Sequence, residues 1–76
     1  MSEVIDVKAY DDLRLEIIFS DNHHSVIDIK PFIRGGISDR LLDKNYFKSV
    51  KIDEFGGICW ENGFDFCPNF LKSIAQ

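Results

Sequence analysis

An α+β fold is what this 76-residue sequence predicts: a three-stranded antiparallel meander, a later two-strand hairpin, short helices, and a C-terminal helix packed on the sheet. Three observations carry that expectation. Leu13-Arg14-Leu15-Glu16-Ile17-Ile18-Phe19 sends Leu13, Leu15, Ile17 and Phe19 to one side and Arg14 and Glu16 to the other, the period of a half-buried strand. Asn62-Gly63 is the strongest two-residue turn signal in the chain. Pro68 stands where the first turn of a helix accepts a residue without an N–H.

The elements follow in order. Val4-Ile5-Asp6-Val7 is a β-branched run, broken by Tyr10-Asp11-Asp12. After the alternating strand, Ser20-Asp21-Asn22-His23 supplies residues that tolerate a tight turn. Ser25-Val26-Ile27-Asp28-Ile29 returns beside it, with Ile27 and Ile29 on one face. Pro31 opens a short helical turn with Phe32 and Ile33, and Gly35-Gly36 ends it. Ser38 is an N-cap candidate for Asp39-Arg40-Leu41-Leu42, and Asp43 for Lys44-Asn45-Tyr46-Phe47-Lys48. Val50-Lys51-Ile52-Asp53 alternates again with Val50 and Ile52 inward, Gly56-Gly57 turns, and Ile58-Cys59-Trp60 comes back. Residues 69–75 close as a helix with Phe70, Leu71 and Ile74 on its apolar side.

Length allows one domain over 1–76. A chain this short buries only roughly 60% of the surface it exposes when unfolded, so a partner subunit would add useful burial. A net charge of −4 disfavours a general role on nucleic acid, whose phosphates demand clustered Lys and Arg. The Met1-Ser2-Glu3 start carries no basic and apolar leader, and no apolar run is long enough for a membrane helix. The cytoplasm is the expected compartment. Cys59 and Cys67 lack metal or redox spacing and are expected as buried thiols.

No catalytic constellation is visible, and no cofactor or metal is expected. His23-His24 would point to opposite faces of a hairpin and cannot easily share an ion. Asp28, Asp43 and Asp53 sit in separate elements, each with a solvated or capping explanation, rather than as an acid–base pair. Trp60, Asn62 and Asp65 are the candidate partner-contact residues, although Trp60 reads first as a core plug and Asp65 as a turn cap.

Order and spacing across nearly the whole chain resemble the bacterial domain of unknown function 2442. The matching residues are Phe19-Ser20-Asp21, Asp28-Ile29, Gly36, Leu41, Asp43, Phe47, Val50, Asp53 and Gly57, then Trp60, Asn62-Gly63, Asp65, Pro68 and Leu71. Glu61 replaces the proline that usually follows the family's tryptophan, and Asn22 stands for its usual hairpin glycine. The resemblance carries no active site. It implies neighbours that look like toxin–antitoxin partners and, in some members, fusion to a helix-turn-helix domain. The expectation is therefore a non-enzymatic protein-interaction module whose partner is a toxin-like neighbour, with homodimerisation and no direct nucleic-acid contact. The alternative is a ligand-sensing or regulatory domain lacking its DNA-binding output domain.

Overall fold

A computed structural model describes residues 3–75; Met1 and Ser2, part of the start read for a leader, lie outside the described residues. Strands β1 (Val4–Ala9), β2 (Arg14–Phe19) and β3 (His24–Asp28) form an antiparallel sheet in that order. Leu15, Ile17 and Phe19 are fully buried on one face of β2, and Ile27 lies beside them on β3. Burying each such side chain contributes on the order of 1.5–3 kcal/mol, so the alternating segment anchors the fold. Asn22 closes the β2–β3 turn with φ +68°, the left-handed conformation asparagine tolerates.

Leu13 departs from the expected strand. Its φ is +66°, and the strand begins only at Arg14. Leu13 instead turns the chain, donating its N–H to Tyr10 O while its own carbonyl accepts from Ile29 N. Leucine gains nothing from that conformation; its half-buried packing against the core and these two bonds hold it there.

Two 3-10 segments, Lys30–Phe32 and Gly36–Leu42, carry the chain to α1 (Lys44–Phe47). Ser38 does not cap a helix. Its hydroxyl accepts from Arg34 N and donates to Gly35 O, so it braces the glycine bend from inside the second segment. Asp43 caps α1 as expected, accepting from Asn45 N and Tyr46 N.

A second antiparallel sheet follows: β4 (Lys51–Ile52), β5 (Ile58–Cys59) and β6 (Asp65–Phe66). It has three strands where the sequence reading has two. The Asn62-Gly63 turn returns the chain far enough for Ile58 to oppose Phe66 and Cys59 to oppose Asp65. Gly63 takes φ +93° in that turn, with Trp60 N donating to Phe64 O. Helix α2 (Pro68–Ile74) begins directly after, capped by Cys67 Sγ, which accepts from Phe70 N. Leu71 is its buried residue on the apolar side, Ile74 is half-buried, and Phe70 is 38% exposed with its ring stacked on Phe66.

One apolar cluster joins both sheets: Leu15, Ile17, Phe19 and Ile29 meet Leu41, Phe47, Ile58, Trp60, Phe66 and Leu71. At the seam Val4 N donates to Gly56 O at 2.7 Å. No described helix is long and apolar enough to cross a membrane.

Candidate functional site

The second sheet is built by side chains more than by strand length. Asp53 Oδ1 accepts from Phe55 N and Gly57 N, both at 2.9 Å, and fixes the β4–β5 turn. That turn leaves Phe55 76% exposed, the most exposed large apolar residue of those described, with Ile52 39% exposed beside it. Ile52 was expected inward; it shares a row with Ile58 and Phe66 but sits on the outermost strand, where nothing covers it fully.

Register aligns Lys51, Cys59 and Asp65 across the three strands. In an antiparallel ladder such partners project from one face. Together with Phe55 and Trp60 they line an open depression of about 490 Å³. Its rim carries both signs of charge, Lys51 against Asp53, Glu54 and Asp65.

Of the sequence-level candidates, Trp60 and Asp65 meet at this depression and Asn62 does not line it. Trp60 is 2% exposed and belongs mainly to the core. Its Nε1–H donates to Phe47 O at 3.0 Å, and its indole stacks on the Phe47 ring at 5.9 Å. Buried indole N–H groups need such a partner, and here it clamps α1 to the second sheet. Asn62 serves the turn: its Oδ1 accepts from Phe64 N, and its N–H donates to Tyr46 Oη. Asp65 is exposed, and its neighbours across the ladder are Cys59 and, one strand on, Lys51.

The other residues weighed for chemistry lie apart. Asp28 Oδ1 accepts from Lys30 N, and Asp43 and Asp53 are taken by their own turns. His23 and His24 are both exposed, with the His23 ring 6.0 Å from that of Phe19. Cys59 is half-buried and Cys67 exposed, against the expectation that both are buried; β5 and the α2 cap are surface elements at those positions.

Sequence reasoning passed over Phe55. Ile52 and Ile58 stand three residues to either side of it, a spacing that gives no sign of exposure, and only the turn fixed by Asp53 sets the ring outward.

The sequence profile of the family described as "Protein of unknown function (DUF2442)" matches residues 4–75. No curated protein and no solved structure matches the chain.

Proposed function

This chain belongs to the DUF2442 family of proteins of unknown function, and on that premise we propose that it is a non-enzymatic protein-interaction module. The observation that carries the reading is Phe55. It is held out into solvent by a turn whose geometry is locked by two bonds to Asp53, next to Ile52 and a mixed-charge depression. A large aromatic that is rigidly presented at low entropic cost is the kind of residue that anchors interfaces. The aspartates considered for catalysis are engaged with local backbone, which also supports the reading. The partner we favour is a toxin-like neighbour, contacting Phe55 and Ile52 with Asp65 at the rim.

Co-expression with the adjacent gene product tests this. A stoichiometric complex is expected, and Phe55→Ser is expected to weaken it by about tenfold or more while leaving thermal unfolding unchanged. A complex indifferent to Phe55→Ser removes the reading.

The depression also carries a second reading, ligand sensing, because it gathers Phe55 and Trp60 with the charged Lys51 and Asp65 on one concave surface. Binding there would alter the fluorescence of Trp60 at its wall. A metabolite screen with no fluorescence change, alongside a Phe55-dependent protein complex, decides for the first reading.

A further inference from the structure

The two edges of the first sheet are treated differently. On β1 the ladder with β2 is interrupted between Val4 and Asp6, which kinks the edge. Val4 N is taken by Gly56 O, and Val7 N donates to the carboxylate of Asp6. Those are recognised ways of blunting an edge.

On β3 the register with β2 runs unbroken from His24 to Asp28. The bonds Phe19 N to His23 O and Ile29 N to Leu13 O set its phase. Odd-numbered residues therefore turn their backbone groups to β2, and His24, Val26 and Asp28 turn theirs away. No hydrogen bond to the outward backbone groups of these three is made by any described residue. The strand has no proline, no bulge and no lysine, and Val26 at its centre is 53% exposed. An edge of this kind is a template for another strand.

We propose that β3 pairs antiparallel with β3 of a second copy of this chain, about a two-fold axis at Val26, joining two three-stranded sheets into one of six. The strand is self-complementary in that register. Val26 faces Val26 of the second copy, and His24 faces Asp28 at both ends, an imidazole against a carboxylate. The facing residues are the ones whose N–H and C=O groups point outward, so each pair can exchange two backbone bonds. A shift of two residues either way shortens the overlap and breaks both His–Asp pairs. An isologous contact of this form closes on itself, giving a dimer and not a fibre. The β3 edge is separate from the Phe55 surface, so the two proposals stand or fall independently.

Light scattering from micromolar to millimolar concentration should give the mass of two chains. Val26→Lys sets like charges directly opposite each other and should weaken association by about tenfold or more. Val26 does not face the core, so the fold should survive, as circular dichroism would confirm. Register is read by Val26→Cys in a Cys59→Ala, Cys67→Ser background. Facing α-carbons about 5.5 Å apart suit a disulfide, so oxidation should give a covalent dimer. Ile5→Cys, equally exposed on β1, should not. A single-chain mass at millimolar concentration, a dimer indifferent to Val26→Lys, or equal crosslinking at both positions would overturn the proposal.

Discussion

The two sheets of this protein have the same strand count and order but are specified by different physics. The first has strands of five and six residues, and its inner face on β2 is a row of buried apolar side chains at period 2. The second has strands of two residues each, too short for any period to exist. What holds it is a set of individual contacts: Asp53 on the first turn, Asn62 and Tyr46 Oη on the second, and the Trp60–Phe47 clamp beneath. Phe64, Phe66 and Phe70 extend that clamp as a chain of ring contacts between 5.2 and 6.2 Å. A repeating sheet tolerates the loss of one residue better than a sheet built from single contacts. The contrast predicts where the molecule breaks.

The largest effect is expected at Trp60. Trp60→Ala removes the indole that touches Phe47, Phe64 and Phe66, and Phe47 O keeps only the longer bond from Val50 N. Such truncations cost about 3–5 kcal/mol, much of what a domain this small possesses. Denaturant titration should find the variant unfolded or nearly so at room temperature. Ile27→Val, on the periodic sheet, should cost only about 0.5–1.5 kcal/mol. Equal losses at the two positions would erase the distinction.

Glycine substitutions sharpen the comparison within the second sheet. A Cβ on Gly57 would sit 2.3 Å from Phe66 O and 3.2 Å from Cys67 Cα, both backbone atoms that cannot swing aside. Gly57→Ala must therefore push β5 and β6 apart, at about 1–3 kcal/mol. Gly63 has open space around it but a φ of +93°, so Gly63→Ala meets strain alone, about 1–2 kcal/mol. Thermal melts should rank Gly57→Ala below Gly63→Ala, and Trp60 fluorescence should shift only in the former.

The same division explains what was legible in the sequence. The first sheet was readable because Leu15, Ile17, Phe19, Ile27 and Ile29 repeat at a spacing only a half-buried strand satisfies. Pro68 and Asp43 marked helix starts because their chemistry acts locally. Strand β6 was missed because Asp65-Phe66 offers no pattern, and its pairing depends on the turn before it and the helix after it. Leu13 was placed in a strand because its hydrophobicity fits the alternation, whereas its backbone answers to Tyr10 and Ile29. At the site, Trp60 and Asp65 were named from their types and do meet. Phe55 was passed over because exposure comes from a turn's geometry, which no spacing encodes.

The smallest effect concerns charge across the two regions. Asp11, in the β1–β2 turn, pairs with Lys48 just after α1, so this bridge ties the first sheet to the helix that clamps the second. The hydrogen bond and the charge of Lys48 hold the Asp11 carboxyl below its ordinary pKa. A depressed carboxylate contributes stability above its unfolded pKa and loses it as pH falls through the lower folded value. Stability should therefore decline slightly in the acid range below the usual carboxylate pKa, and Lys48→Met should flatten that part of the profile. Both side chains are about half exposed or more, so at neutral pH Lys48→Met should leave the Tm nearly unchanged. A fall in Tm as large as that of Gly57→Ala would mean that the sheets are coupled through surface charge. The continuous core running from Leu15 to Leu71 argues that they are coupled through packing.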